Sequence, residues 1–316
     1  MIIKHADDHS ADLETLQTLF DHPGADAITR TRITAEVRGI KAGVRGEAAA
    51  AYEIDRLFGS SDKHAVIHDL RIEVDGQVAQ IDHLVLNRFL SAFLCETKNF
   101  AEGLSCNTHG EWVGFRNNRP FGIASPLHQG ARHCDILRIL LQQGHPWHPR
   151  RLGGPIGVRM EHFVLVSNTA RITRPKAGTV PDIDRVVKIE GFGDRREAYA
   201  DRIGTMEALA KIVSSDTLSL FAKGLAGCHV PAAPDWHTKF GLSRSDPTLA
   251  TIRRPSAPGA PIELPTQDAT DDPAPKKKLI CMTCGSTIAF VVARFCWRNA
   301  RRFGGHMYCR DCQAQI

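Results

Sequence analysis

The chain has 316 residues, of which 42% are hydrophobic, 24% are charged and 7% are aromatic. This composition is sufficient for about two folded domains and excludes a wholly disordered chain. No apolar run approaches the length of about 18 residues that a membrane span requires, and the N-terminal segment has no apolar stretch of signal-peptide length. We therefore expect a cytoplasmic protein without membrane segments.

The positive charge is concentrated near the C-terminus. The net charge is +5, but residues 276–316 contain eight Lys or Arg and one Asp, whereas the preceding 275 residues contain 32 basic and 34 acidic side chains. A near-neutral body with a strongly basic end indicates a polyanionic partner. A basic tail that only improves solubility is the alternative that charge alone leaves open.

Hydrophobic periodicity and turn signals predict alternating helices and strands in the body of the chain. The predicted elements are, in chain order, a helix over residues 33–58, strands over 66–74, 77–87 and 91–98, a short hairpin over 104–107 and 112–116, a helix over 126–143, a strand over 161–167, a strand over 186–189, and one or two helices within 195–225. The order of the core elements is α-β-β-β-α-β, which is typical of an α/β domain.

The second predicted strand, residues 77–87, carries an Asp in an otherwise apolar part of its sequence. Side chains alternate across a strand, so we expect Gln80 and Asp82 to share one face. By the same rule, Ile81 and His83 share the other face, and His83 is interpreted as a structural histidine with satisfied hydrogen bonds.

The third predicted strand ends in a Glu-x-Lys pattern. If this strand pairs with its predecessor, Glu96 and Lys98 converge with Asp82 on one side of the sheet. Two adjacent carboxylates repel each other, so this placement favours a divalent cation between them, and Mg²⁺ is best suited to oxygen ligands. The expected ligands are Asp82, Glu96 and the carbonyl oxygen of Thr97, with Lys98 orienting or deprotonating the attacking water. A surface ion pair of Glu96 with Lys98 is the alternative, but the apolar run before Glu96 predicts a buried strand.

Several short motifs follow one another in a fixed order. They are Arg45-Gly46-Glu47, Gln80-Ile81-Asp82-His83, Phe93-Leu94-Cys95-Glu96-Thr97-Lys98-Asn99-Phe100 with Gly103, Gly110-Glu111-Trp112, and Pro126 with Gln129. This series resembles the nuclease-related domain family, NERD, within the PD-(D/E)XK nuclease superfamily. The resemblance covers roughly residues 37–141, about a third of the chain.

The resemblance implies a restriction-endonuclease-like α/β core with a mixed central sheet flanked by helices. It also implies a phosphodiesterase that depends on Mg²⁺ or Mn²⁺, in which Glu47 is the acid on the first helix and Lys98 is the catalytic base or charge stabiliser. The remaining assignments are Asp82 and Glu96 as metal ligands, and Gln80 and Gln129 as supporting residues.

The last 36 residues contain two Cys-x-x-Cys pairs, Cys281 with Cys284 and Cys309 with Cys312, separated by 24 residues. This spacing is typical of a closed, structural zinc site with four thiolate ligands. The segment resembles the small zinc ribbons at the C-terminus of bacterial type I topoisomerases. Cys296 lies between the pairs and is interpreted as a packed or free thiol, although its exchange with a ligand cysteine stays open.

Basic and aromatic residues alternate between the two cysteine pairs. The cations expected to contact phosphates are Arg294, Arg298, Arg301 and Arg302, and the aromatic residues among them are Phe295, Trp297 and Phe303. Cations combined with planar rings suit single-stranded or distorted nucleic acid. The alternatives are that the rings form the small core of the ribbon, or that the ribbon binds protein.

Composition divides the chain into four predicted parts: an N-terminal extension (1–30), a nuclease-like domain with a helical C-terminal part (31–230), a Pro-rich linker (231–278) and a zinc ribbon (279–316). Seven of the 36 residues from 243 to 278 are proline, which favours an extended and flexible segment.

The sequence as a whole predicts a metal-dependent nuclease whose zinc ribbon holds nucleic acid near the active site. We expect DNA to be the substrate, and a helicase or another DNA-processing protein is a candidate partner. The alternative is a non-catalytic adaptor that binds nucleic acid or protein and uses the nuclease fold as a scaffold.

Overall fold

The computed structural model describes residues 1–100, 102–116, 118–202, 204–243, 279–284, 286–288, 292, 296, 303 and 306–313. The chain divides into two compact units, Met1–Leu249 and Ala250–Ile316. In its described part, the second unit contains a β-bridge between Ile280 and Thr287 and a helical turn at Arg310–Gln313.

The first unit is built from strands and helices in mixed order. Its strands are β1 (Ile2–Lys4), β2 (His64–Val74), β3 (Gln77–Asn87), β4 (Ser91–Lys98), β5 (Gly103–Cys106), β6 (Trp112–Arg116), β7 (Arg119–Ile123), β8 (Arg150–Arg151), β9 (Gly154–Pro155), β10 (Arg159–Val166), β11 (Arg171–Thr173) and β12 (Val186–Lys188). Its helices are α1 (Ser10–Phe20), α2 (Ala27–Phe58), α3 (Pro126–Gln142), α4 (Phe192–Ala200), α5 (Thr205–Lys211), α6 (Ser215–Ala226) and α7 (Trp236–Phe240).

The main sheet has the strand order β1-β2-β3-β4-β10-β12. Strands β2, β3 and β4 are antiparallel neighbours, whereas β4, β10 and β12 are parallel. Helices α3 and α6 pack on one face, and α2 and α4 pack on the other. The prediction of an α/β fold with a mixed central sheet flanked by helices is therefore confirmed. A smaller sheet, β11-β5-β6-β7, packs against the end of β10.

The hairpin between β2 and β3 forms where the turn signal predicts it. Asp75 and Gly76 have φ values of 49° and 73°, the left-handed conformation that a tight two-residue hairpin turn requires at both positions. Val74 is paired with Gln77 across this turn. The predicted bounds of β3 and β4 agree with those observed, because strong turn signals flank both strands.

Strict alternation fails at the middle of β3. Ala79 and Ile81 pack in the same core cluster as Leu84 and Leu86, so the inward face changes from odd to even positions between them. The expectation that Ile81 shares a face with His83 is therefore wrong. The irregularity coincides with Asp69 on the neighbouring strand, whose positive φ of 51° interrupts the regular pleat of β2.

Helix α2 begins six residues before its predicted start. Asp26 caps it, because its side chain accepts a hydrogen bond from the backbone N–H of Thr29 at 2.7 Å. Ile33 then packs in a cluster with α1 and α7. The boundary expected at residue 30 thus falls inside α2, and β1 adds a parallel strand to the main sheet. Residues 1–30 are part of the folded body rather than a separate extension.

The expected linker also begins with folded structure. Trp236 and Phe240 of α7 are buried against α1, and the Trp236 indole N–H donates to Asp12 at 2.7 Å. The body therefore extends beyond residue 230, where the sequence placed its end. Residues 244–278, which contain the proline-rich sequence, lie outside the described residues. Of the helices in the described ranges, none has the length and apolar character needed to cross a membrane.

Helix α2 lies very close to the end of β4 at Gly46. A methyl group built on Gly46 would lie 2.8 Å from the Cβ atom of Asn99, a distance shorter than any normal carbon contact. The Asn99 amide also donates to the carbonyl oxygen of Ala42 at 2.6 Å. Glycine at position 46 therefore lets α2 approach the end of β4. This close approach also brings the next helix residue, Glu47, near the end of that strand.

We expect Gly46→Ala to lower the free energy of unfolding by about 1–3 kcal/mol, because the added methyl overpacks the helix against the strand. Gly39→Ala in the same helix is the matched control: a methyl there has no neighbour within 4 Å, and alanine should stabilise the helix by about 0.5–1 kcal/mol. Urea unfolding monitored by circular dichroism measures both variants. Equal stability of the two would contradict the close approach of α2 to β4.

Candidate active site and metal centre

Strands β3 and β4 bring Asp82 and Glu96 together. The strands are antiparallel with His83 opposite Cys95, so Asp82 and Glu96 occupy the next pair of positions. Asp82 accepts a hydrogen bond from the backbone N–H of Thr97 at 2.6 Å. Both carboxylates thus lie at the end of β4, where the sequence predicted that they meet.

Glu96 is the centre of a polar network with α3. Its Oε1 accepts hydrogen bonds from Lys98 Nζ and from Gln129 Nε2, each at 2.7 Å. Lys98 Nζ also donates to Gln129 Oε1 at 3.0 Å. Gln129 lies in the first turn of α3, where the Ser125 hydroxyl caps the helix by accepting from the His128 N–H. The structure therefore brings the predicted supporting residue Gln129 into contact with both Glu96 and Lys98.

The second oxygen of Glu96 is buried and has no hydrogen-bond partner among the described residues. His133 Nδ1 lies 3.6 Å from this oxygen, which is too long for a hydrogen bond. An unsatisfied buried carboxylate oxygen is costly. It is therefore the atom of this site that most clearly lacks a positive or hydrogen-bonding partner. The sequence did not single out His133, because it has no partner at metal-ligand spacing.

Further acidic groups surround this pair. Burial raises the pKa of Glu47, and the negative charges of Asp69 and Glu96 raise it further. Burial likewise raises the pKa of Asp82 well above its usual range, with Glu96 as the next cause, although the Thr97 N–H opposes the shift. Glu96 is thus close enough to the predicted helix acid and to Asp82 to disfavour the ionisation of both.

Asp69 is an acidic residue of this region that the sequence analysis missed. It is buried and accepts from Gln80 Nε2 at 3.1 Å and from the backbone N–H of Asp7 at 3.2 Å. The supporting residue Gln80 therefore contacts Asp69. The sequence around Asp69 does not mark it as a site residue, because it is a single acid within an apolar strand. Its left-handed backbone, which distinguishes it from the rest of the strand, is visible only in the structure.

The three predicted acids do not form a closed ligand set. A compact metal site needs at least three ligand atoms that lie close to one another. Among the described residues, one group of side chains has all its ligand atoms within 4.8 Å of one another, and it consists of Cys281, Cys284, Cys309 and Cys312. Glu47, Asp82 and Glu96 are more widely spaced than that. Their assignment as catalytic residues and magnesium ligands stays a prediction.

The four cysteines form a site that could bind zinc. The Cys281 thiol accepts hydrogen bonds from backbone N–H groups, that of Cys284 first, which lowers its pKa to about 6. The neighbouring Cys309 thiol has the opposite effect on Cys312, whose pKa is raised to about 12. Four sulfurs this close cannot all be thiolates without a cation between them, and zinc favours four thiolates in a tetrahedron.

Cys296 lies outside this group. It is buried, and its sulfur accepts from the Tyr308 N–H at 3.4 Å and from Gln313 Nε2 at 3.2 Å. The Phe303 ring is buried against Tyr308, with 5.9 Å between the ring centroids. For this one aromatic residue, the interpretation as core of the small domain therefore agrees with the structure.

The arginines expected to bind nucleic acid, Arg294, Arg298, Arg301 and Arg302, lie outside the described residues, as do Phe295 and Trp297. Their role stays a prediction. It rests on the charge of the segment, on the alternation of cations and rings, and on the spacing of the cysteine pairs.

We expect the purified protein to contain one zinc ion per chain and Cys281→Ser to lose it, because three thiolates hold zinc much less tightly than four. Cys296→Ser is the matched control and should retain the metal. Zinc content measured by atomic emission after gel filtration tests both variants. If Cys296→Ser lost its zinc while Cys281→Ser kept it, Cys296 would be the zinc ligand in place of Cys281.

The segment that carries the acidic site resembles a known protein family. No curated protein and no solved structure matched the chain. The model of one protein family did match, over residues 42–158, a segment that includes β2 to β7, α3 and most of α2. This segment carries the predicted acids, lysine and glutamines described above. Residues 42–158 are thus identified by that family model as a nuclease-related domain, NERD.

Proposed function

We propose that the first unit is a metal-dependent nuclease that hydrolyses phosphodiester bonds of nucleic acid. The observation that supports this most is the environment of Glu96 within the matched segment. One of its oxygens is held by Lys98 and Gln129, and the other is buried without a hydrogen-bond partner among the described residues. A carboxylate in this state suits coordination of a cation better than it suits a purely structural role.

The donors at the site fit Mg²⁺ or Mn²⁺. Asp82 and Glu96 offer carboxylate oxygens and Thr97 offers its carbonyl oxygen, which are the ligand types that these hard cations prefer. When bound, such a cation supplies positive charge that stabilises the phosphodiester as its negative charge increases during hydrolysis. It would also offset the burial and the carboxylate repulsion that together raise the pKa of Asp82 and of Glu47.

Lys98 is the residue best placed to act on the substrate. Its ammonium group is anchored by Glu96 Oε1 and Gln129 Oε1 at 2.7 and 3.0 Å, so its position is fixed before substrate arrives. A fixed ammonium can orient an attacking water or stabilise charge on the phosphate without reorganisation. Glu47 contributes a third carboxylate, from α2.

The second unit would supply affinity for the substrate. Residues 276–316 contain eight basic residues and one acidic residue, and contacts to phosphates by Lys and Arg strengthen binding without sequence specificity. We propose that a zinc ion holds this segment folded and that its arginines bind DNA. Nothing in the described residues supports the helicase partner that the sequence suggested.

Two observations favour the alternative of a non-catalytic adaptor. Lys98 forms an ion pair with Glu96, and the three acids are too far apart to form a compact ligand group. If the Lys98–Glu96 ion pair and the spacing of the acids stayed unchanged in the presence of Mg²⁺, the site would bind no metal and the fold would act only as a scaffold. Metal binding and cleavage must therefore be measured separately.

For the nuclease, we expect cleavage of end-labelled DNA with Mg²⁺ or Mn²⁺ and none with EDTA. Lys98→Ala should lower the cleavage rate by at least about 100-fold, because it removes the anchored ammonium. Lys63→Ala, which removes an exposed lysine before β2, is the matched control and should cleave normally. Single- and double-stranded DNA and RNA are tested in parallel. Undiminished cleavage by pure Lys98→Ala protein would contradict the proposal.

Metal binding separates the nuclease from the adaptor. We expect the zinc-loaded protein to bind Mn²⁺ in isothermal titration calorimetry and Asp82→Asn to lose most of that affinity, because the variant loses a charged oxygen ligand. Asp62→Asn, an exposed site before β2, should bind Mn²⁺ as the unaltered protein does. An adaptor would bind DNA, show no Mn²⁺ affinity that depends on Asp82, and leave DNA intact.

A further inference from the structure

A chain of hydrogen bonds crosses the main sheet behind the acidic site. Asp55 Oδ1 lies 2.9 Å from His68 Nε2, and His68 Nδ1 lies 2.8 Å from His83 Nδ1. His83 Nε2 lies 3.1 Å from the Thr97 hydroxyl oxygen. The chain connects α2, β2, β3 and β4 in that order. Its two histidines are each 1% exposed, and the proposed reaction uses neither.

The carboxylate at one end of the chain sets the direction of the first bond, and the proton count of each ring sets the others. A carboxylate can only accept, so His68 donates its Nε2–H to Asp55. With one proton on each ring, His68 accepts at Nδ1 from the proton that His83 carries on its Nδ1. His83 Nε2 is left as an acceptor, and the Thr97 hydroxyl donates to it.

The chain ends on the residue that contacts Asp82. Thr97 lies between Glu96 and Lys98, so its side chain points to the face of the sheet opposite theirs. Its backbone N–H donates to Asp82 at 2.6 Å, and its carbonyl oxygen is a proposed cation ligand. His83 adjoins Asp82 in β3. A hydrogen bond between His83 and Thr97 therefore restrains the backbones of β3 and β4 at the positions that carry the proposed cation ligands.

We propose that His83 and His68 are positioning residues, which through Thr97 hold Asp82 and the Thr97 carbonyl oxygen in the geometry that binds the catalytic cation. This inference rests on the proposed function and deepens it. Asp55 takes part by fixing the tautomer of His68. Because Asp55 and Glu47 lie on the same helix, the chain also ties α2 to the strands that carry the other acids.

The tautomers can be measured without any metal. In the full-length, zinc-loaded protein labelled with ¹⁵N-histidine, two-bond ¹H–¹⁵N correlation spectra distinguish protonated from unprotonated ring nitrogens. We expect His68 to carry its proton on Nε2 and His83 on Nδ1 at neutral pH, with signals assigned by their loss in His68→Gln and His83→Gln. A proton on His83 Nε2 instead of Nδ1 would overturn the proposed chain.

The positioning role is tested by Mn²⁺ affinity. We expect His83→Leu to weaken Mn²⁺ binding about tenfold, in the range found when residues behind metal ligands are removed. Asp55→Leu should also weaken it, whereas Asp55→Asn, which keeps an acceptor oxygen for His68, should restore most of the affinity. Thermal denaturation is measured beside each titration, so that loss of folding is recognised.

His148→Leu is the control for the loss of a buried histidine. Among the described residues, the His148 ring forms its hydrogen bonds with backbone carbonyls, and its Nε2 lies 2.9 Å from the Ile156 oxygen. This variant should therefore lose stability but keep its Mn²⁺ affinity. Equal Mn²⁺ affinity in the unaltered protein, Asp55→Leu and Asp55→Asn would overturn the positioning role while leaving the proposed function intact. Absence of Mn²⁺ binding in the unaltered protein would overturn the proposed function itself, and the positioning role with it.

Discussion

Two neighbouring carboxylates in a sheet, Glu96 buried and Asp82 half-buried, are the constraint on which the rest of this site depends. Asp82 and Glu96 occupy adjacent strands, and taking charge out of water is expensive unless hydrogen bonds or counter-charges compensate it. The protein compensates only partly. Thr97 donates to Asp82, and Lys98 and Gln129 donate to one oxygen of Glu96. Burial first, and the negative charge of Glu96 second, therefore still raise the pKa of Asp82.

The surrounding elements can be understood as supports for this pair. The α2 helix brings a third carboxylate, which requires the close approach that Gly46 permits. The α3 helix brings Gln129 in a capped first turn, where an amide can bridge Glu96 and Lys98 through its oxygen and its nitrogen. On the back of the sheet, two buried histidines join α2 to the strand ends. Each support comes from a different element, so the site requires the whole fold.

The sequence predicted those features that depend on local patterns. Alternation and turn signals located β3 and β4, and the Glu-x-Lys pattern located Glu96 and Lys98. Features that depend on contacts between distant residues were not predictable in the same way. The pairing of His68 with His83 requires the register of two strands, and the irregularity at Asp69 hides the true face of Ile81. Packing of Trp236 on α1 extended the body beyond its expected end, because a short helix in a polar sequence gives little periodic signal.

The distribution of charge differs between the part of the chain proposed to cleave nucleic acid and the part proposed to bind it. The first 275 residues contain 32 basic and 34 acidic side chains, and the last 41 contain eight basic and one acidic. A phosphate that approaches Asp82, Glu96 and Glu47 meets three acidic groups and one lysine, so repulsion opposes its entry until a cation is present. Affinity for a polyanion must then come from elsewhere in the chain, and the basic segment is the part that can supply it. It follows that loss of the basic segment should weaken substrate binding without altering the affinity of the acidic site for Mn²⁺, whereas loss of Asp82 should do the reverse.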